Sequence, residues 1–263
     1  MREIRFLGTV ETVLKNRRQL FANIHDGRQL NQYFFDLQIA IFLFTLVYGA
    51  SMGLFSGEIL QVFYSAIKIP LLLFLTLYIC LPTFYVLDSL VGGALSLRKM
   101  LTILLSGFTI MATILIAFLP VMLFFLLTTP EYTFIVLLNV AIFGLAGFGA
   151  LVYFLQGYFT IYKLETEPGP QITDTGKCPS CGKPTTKEMG FCSHCGTRLM
   201  RPLDTAFNIS SLPIFIGCIV LIFVGTQLAW IIRPYFHFYH LFIRFPFEGN
   251  FYLALLRLIF PWL

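Results

Sequence analysis

The sequence predicts an all-α integral membrane protein with about five transmembrane helices. Of its 263 residues, 57% are hydrophobic and 12% are charged, whereas soluble globular domains carry roughly 45–50% apolar and about 25% charged residues. The chain also contains 30 phenylalanines. This composition excludes a soluble enzyme, a disordered tail and a secreted disulfide scaffold.

Five apolar stretches are long enough to cross a bilayer, which takes about 20 residues for a hydrocarbon core of ~30 Å. Four of them have one clear position each: Leu37–Phe55, Met100–Leu127, Thr133–Tyr162 and Leu212–Ile232. The remaining stretch, second in chain order, begins at Ile59 and ends at Leu81, or begins at Ile69 and ends at Val91. Because proline removes a backbone donor, Pro70 and Pro82 make either helix imperfect, and Pro120 predicts a kink in the third.

The spans divide the chain into five regions. Residues 37–163 form a four-helix transmembrane bundle, residues 164–208 a polar linker with a small folded module (core 177–199), and residues 209–233 the fifth span. Residues 1–36 form an amphipathic cytoplasmic region with two possible placements, on an anionic leaflet or against the protein's own loops. Residues 234–263 form an aromatic tail, in which Phe251–Leu263 is too short to span and predicts an interfacial or re-entrant helix.

Basic residues predict the orientation. Fourteen of the 18 lysines and arginines lie before the first span, before the third span or between the fourth and fifth spans, and five crossings place these regions on one face. Cytoplasmic loops are enriched in lysine and arginine. We therefore expect a cytoplasmic N-terminus and insert, with the tail from Arg233 on the outside.

The insert carries two Cys-x-x-Cys pairs, Cys178 with Cys181 and Cys192 with Cys195, each followed by glycine. Two such pairs close a tetrahedral four-sulfur site, typical of structural zinc. The segment resembles the zinc-ribbon modules of many bacterial and archaeal proteins. An iron centre with the same ligands remains an alternative, whereas a redox pair and disulfides in a reducing cytoplasm are disfavoured.

A closed zinc site has no open coordination position and is not expected to catalyse a reaction. Its metal supplies folding energy to a module too small for a hydrophobic core. The ribbon therefore predicts a rigid surface that docks a cytoplasmic protein. Nucleic acid is an unlikely partner, because the ribbon offers little aromatic surface for stacking beyond Phe191 and the positive-inside rule already explains its lysines.

Small residues recur at helical spacing in two spans, where they let helix backbones approach closely. The first span carries Gly49, Gly53 and Gly57, and the fourth carries Gly144 and Gly147. These positions predict tight helix contacts, either within one subunit or between subunits of an oligomer.

Five polar side chains lie within or beside the spans: Lys68, Asp88, Asn139, Gln156 and Gln227. Charged groups are costly in hydrocarbon and are often functional. We favour a boundary interpretation, in which Lys68 reaches outward from one end of the second span and Asp88 lies at the other. The neutral amides predict hydrogen bonds between helices.

Several segments resemble one uncharacterised family of bacterial multi-pass membrane proteins: residues 65–70, 79–83, 138–143, 225–230, 233–234 and 249–252. Members of that family often carry an "actin-binding" label, which nothing in this sequence supports. The plan of five spans is also similar to that of the Yip family of membrane-shaping proteins. The resemblance implies a bacterial inner membrane and adds no reaction.

These observations favour a non-enzymatic scaffold or accessory subunit, in a homo-oligomer or a hetero-complex, whose zinc ribbon docks a partner. The alternative is a channel or small-solute transporter with Lys68, Asn139, Gln156 and Gln227 along its path. A lipid enzyme using His237, His240 and Glu248 is the weakest hypothesis, because no catalytic constellation stands out.

Overall fold

In a computed structural model the protein is all-helical over the residues it describes: 5–27, 29–54, 59–90, 95–128, 131–166, 212–232 and Tyr252. These residues form α1 (Arg5–Lys15), α2 (Arg17–His25), α3 (Leu30–Gly53), α4 (Ile59–Leu90), α5 (Leu97–Thr128), α6 (Tyr132–Thr166) and α7 (Leu212–Ile232). Five of these helices, α3 to α7, are long and apolar enough to cross a membrane. The described structure therefore supports a multi-pass, membrane-embedded protein.

The second span is a single helix that contains both predicted alternatives. The 32 residues of α4 run from Ile59 to Leu90, with Pro70 and Pro82 inside the helix. Each proline removes only one backbone hydrogen bond, and the remaining turns stay helical. At 1.5 Å per residue α4 is about 48 Å long, so it exceeds the hydrocarbon thickness and must tilt or extend beyond it.

The helices form an antiparallel bundle. α3 packs against α4 and α5, α5 packs against α6, and α4 packs against α7. Consequently α3, α5 and α7 begin at the same end, where α4 and α6 finish. We call it the basic end, because Arg17, Arg18, Arg98 and Lys99 lie there among the described residues. The opposite end of the bundle is the far end.

The N-terminal helices α1 and α2 pack on the bundle at the basic end. Val13, Leu20, Phe21 and Ile24 are fully or almost fully buried. The chain then turns into α3 through Gly27, whose φ of +70° suits glycine. The inner face of α1–α2 therefore packs against the protein itself. The other predicted placement, on an anionic leaflet, does not describe this face.

The tail contributes one described residue. Tyr252 stacks on Phe223 of α7, with ring centroids 6.1 Å apart, and its hydroxyl lies 2.9 Å from that of Thr226. Gly57, the four paired cysteines and the rest of the tail lie outside the described residues. The expectations attached to those positions stay predictions.

Candidate functional site

A buried hydrogen bond joins two transmembrane helices near the far end. The Tyr48 hydroxyl on α3 donates to the Asn139 side-chain oxygen on α6 over 2.7 Å. Both side chains are inaccessible to solvent, at 0% exposure. The apolar surroundings, which include Met52, Ile69 and Leu115, strengthen this contact because they exclude water.

The amide of Asn139 is only half satisfied. Its Nδ2 atom is buried and has no hydrogen-bond partner among the described residues. A buried donor without an acceptor costs about 1–3 kcal/mol, so this nitrogen is the clearest local imbalance in the described bundle. It could donate to a water molecule or to a polar group of a ligand.

Lys68 lies inside α4, in its third turn. The helix begins nine residues earlier, at Ile59, and the Lys68 side chain is only 6% exposed. Lys68 is therefore not at the end of its helix, and the described residues cover its side chain. α4 begins at Ile59, the first of the two predicted starting points, and continues through the second, Ile69.

Asp88 lies in the last turn of α4, two residues before Leu90, at the basic end. It is buried there, and its Oδ1 atom accepts a 2.7 Å hydrogen bond from the Tyr158 hydroxyl of α6. Tyr158 also stacks on Tyr162 with ring centroids 6.0 Å apart. This contact ties the end of α4 to the last turns of α6, directly before the insert.

The two helices on either side of the insert approach each other near the basic end. Phe159 near the end of α6 and Phe215 at the start of α7 have ring centroids 6.5 Å apart. A side chain on Gly217 would collide with Phe84 of α4, 2.7 Å away. The two helices that flank the insert are thus both fixed against α4.

The two glutamines do not join the buried amide. Gln156 is exposed at the basic end and accepts a 2.7 Å hydrogen bond from Arg17. It lies seventeen residues beyond Asn139 on the same helix, which is about 25 Å at 1.5 Å per residue. Gln227 is half-buried on α7, a helix that packs mainly on α4. The described residues therefore do not align the four proposed pathway residues in one channel.

The glycines of the first span make the closest helix contact. A Cβ on Gly49 would lie 2.5 Å from the Ser65 carbonyl oxygen of α4, and one on Gly53 would overlap the Val62 Cα. Both obstacles are backbone atoms, which cannot move aside as a side chain would. The predicted close approach of helices is confirmed here, and its partner is α4 of the same chain.

The glycines of the fourth span are open. Among the described residues, no neighbouring atom lies within 4 Å of a Cβ built on Gly144 or on Gly147. Their neighbours Leu145 and Phe148 are 58% and 68% exposed. This side of α6 therefore contacts none of the other described helices at these positions, and packing among those helices does not explain its small residues.

Tyr48 and Tyr158, two residues central to the buried contacts, were not predicted from the sequence. Tyrosine is common at the ends of membrane helices, and its pattern there carries no information about a partner. The one sequence feature that could have indicated these tyrosines is a neighbouring glycine. Tyr48 directly precedes Gly49, and Tyr158 directly follows Gly157, another glycine in close contact.

The metal centre remains a prediction. The described residues contain no group of three or more His, Cys, Asp or Glu side chains that could hold a metal ion. All four cysteines proposed as ligands, from Cys178 to Cys195, fall outside those residues.

No protein-family model, curated protein or solved structure matches this chain. The resemblance to an uncharacterised bacterial family consequently stays an expectation from the sequence.

Proposed function

We propose that the protein is a non-enzymatic scaffold or accessory subunit of an oligomeric membrane complex. The observation that carries this proposal is the open glycine surface of α6, formed by Gly144 and Gly147 between the exposed side chains of Leu145 and Phe148. Small residues in a membrane helix favour close packing against another helix. A second copy of this chain is the simplest source of that helix.

The insert supplies the second half of the proposal. Its four cysteines bind one structural zinc ion and fold the ribbon, which docks a cytoplasmic protein. The anchoring of both flanking helices on α4, through Asp88–Tyr158 and Phe84–Gly217, supports this role. A partner bound to the ribbon would thereby be held at a fixed place relative to the membrane.

The proposal places the protein in a bacterial inner membrane, with the N-terminus and ribbon in the cytoplasm and the tail outside. The excess of basic residues at one end of the bundle supports this orientation. Cysteine labelling of intact cells and of inverted vesicles tests it, because only inverted vesicles should expose the ribbon.

Oligomeric state is the direct test of the α6 surface. The protein purified in mild detergent should form a defined oligomer by light scattering, and Gly144→Leu with Gly147→Leu should reduce it to a monomer. None of the described residues packs against these glycines, so the described bundle should accept both leucines and fold. Val86→Phe, at an exposed position on α4, is the control for a larger side chain and should keep the oligomer.

Two results would contradict the oligomer proposal. One is a wild-type protein that is monomeric in the membrane by cross-linking as well as in detergent. The other is an oligomer that survives both leucine substitutions while the thermal stability of the subunit stays unchanged.

Zinc content tests the ribbon separately. We expect about one zinc per chain by elemental analysis, falling to none in Cys178→Ser with Cys181→Ser, because two thiolates cannot close a tetrahedral site. The five spans should still insert, since they bury their own core. Iron in place of zinc would overturn the zinc assignment, and loss of membrane insertion in this variant would overturn the modular arrangement.

A channel or small-solute transporter is the second candidate, and the buried, unpartnered Nδ2 of Asn139 favours it. A polar group without a partner inside a membrane bundle is often part of a substrate or ion path. Ion or solute flux in proteoliposomes, abolished by Asn139→Leu and by Lys68→Met, would support transport. Wild-type flux no greater than that of empty vesicles, or flux that both variants leave unchanged, would exclude it.

A further inference from the structure

We propose that α1 and α2 form an interfacial anchor that binds the anionic phospholipids of the leaflet at the basic end. This inference is independent of the scaffold function, because it concerns neither the α6 surface nor the zinc ribbon. It follows from the depth of α1, from the distribution of its side chains and from its charge.

The depth of α1 is set by a contact with α3. The Thr9 hydroxyl donates to the Asp36 carboxylate over 2.9 Å, and Asp36 directly precedes Leu37, where the first apolar stretch begins. The outward-facing Phe35 and Ile39 on α3 are exposed at the same level. α1 therefore lies beside the first apolar turns of the bundle, at the depth of the bilayer interface.

The side chains of α1 divide into three faces. Thr9, Val10 and Val13 are buried against the bundle. Leu7 and Leu14, two helical turns apart and so on the same side, are 49% and 51% exposed.

The third face of α1 is polar. Glu11 and Lys15 lie on it, joined by a 2.9 Å salt bridge. A helix lying at an interface needs this division, with one side toward the protein, one apolar flank toward the acyl chains and one polar side toward water.

The charge of the two helices matches an anionic leaflet. Between Arg5 and His25 the sequence has four basic residues and one acidic residue, Glu11. Arg18 is exposed, and Arg17 is held by the neutral Gln156. The hydrogen bond and charge of Glu11 raise the pKa of Lys15, so this ammonium stays charged beside phosphate groups. Clustered basic residues near a membrane bind anionic lipids through such contacts.

Hydrogen exchange of the full-length protein in lipid nanodiscs tests the anchor. One disc contains only phosphatidylcholine and the other contains about 30% phosphatidylglycerol. Amide exchange in α1 and α2 should be slower in the anionic disc, and the difference should shrink at about 0.5 M salt because salt screens surface charges. Exchange in α5 serves as the internal reference and should not differ between discs.

Three variants separate the contributions. Arg18→Gln should weaken the lipid-dependent protection about fivefold, the effect of one basic side chain near a charged surface. Leu7→Ser with Leu14→Ser should remove the protection in both discs while the thermal stability of the bundle is retained, because these leucines are only half-buried. Glu11→Gln is the opposite control, since it increases the basic excess and should strengthen the protection.

Equal exchange of α1 and α2 in the two discs would overturn the inference. So would protection that appears only when a soluble protein is added, because the exposed flank would then bind that protein and not lipid.

Discussion

Two clusters of small residues with similar spacing have opposite uses in this protein. A Cβ on Gly49 or Gly53 of α3 would collide with the backbone of α4, whereas one on Gly144 or Gly147 of α6 would meet no described residue within 4 Å. The spacing of small residues thus indicates that a helix can approach, and it does not indicate which helix does so.

The comparison also explains why Asn139 is a sensitive position. Its partner Tyr48 is the residue directly before Gly49, and Asn139 is on the same helix as the open glycines, five residues before Gly144. One hydrogen bond therefore connects the closed interface of the bundle to the helix with the open surface.

The largest effect is expected at the closed interface. Gly49→Ala and Gly53→Ala should each lower the free energy of unfolding by about 3 kcal/mol, since overpacking costs typically 1–3 kcal/mol and the obstacles here are backbone atoms. Denaturation by SDS in mixed micelles measures this change. An effect below about 0.5 kcal/mol at both positions would show that α3 and α4 are not in close contact.

An intermediate effect is expected from the buried hydrogen bond. Tyr48→Phe should cost about 1 kcal/mol, because it leaves the whole Asn139 amide buried without a partner. Tyr48→Phe combined with Asn139→Leu should regain most of that loss, since both polar groups are then removed. The same unfolding measurement, arranged as a double-mutant cycle, gives the coupling between the two residues.

The control for this cycle is Tyr78→Phe. Tyr78 accepts a 2.6 Å hydrogen bond from Gln38 in an exposed position, where water or lipid headgroups can replace it. Its loss should cost less than about 0.5 kcal/mol. Equal costs for Tyr48→Phe and Tyr78→Phe would mean that the Tyr48–Asn139 contact adds nothing beyond an ordinary surface bond.

The smallest effect, with the opposite sign, is expected at the open surface. Gly144→Ala and Gly147→Ala should leave the subunit unchanged or stabilise it by up to about 1 kcal/mol, because alanine favours helix over glycine and nothing obstructs its Cβ. Unfolding at a dilution that separates any oligomer measures the subunit alone. A loss comparable to that of Gly53→Ala would remove the distinction between the two clusters.

The sequence predicts the helices of this protein well and their contacts poorly. Apolar length places five spans, and the limits of α7 agree with the predicted Leu212–Ile232. The sequence leaves the limits of α4 ambiguous because Lys68 reads as a span boundary and two prolines make the helix imperfect, while in the structure the helix continues through all three. A charged residue or a proline within an apolar stretch ends a helix only where neighbouring helices do not stabilise the turn that follows it.

The candidate site depends on contacts between residues far apart in the chain. Tyr48 and Asn139 are separated by 91 positions and Asp88 and Tyr158 by 70, so no local pattern links them. The four-cysteine motif is the reverse case, since its local spacing alone predicts a four-sulfur metal site. Its residues lie beyond the described part of the chain, and its metal is still to be measured.

The short distance between Phe159 and Phe215 has a practical consequence for genetic engineering. Because α6 and α7 approach each other at these two residues, we expect the 45-residue segment between the helices to be replaceable. A short flexible linker, or an unrelated small domain whose two termini lie close together, should fit there without displacing either helix. The membrane portion could then be produced and studied separately from whatever that segment recognises.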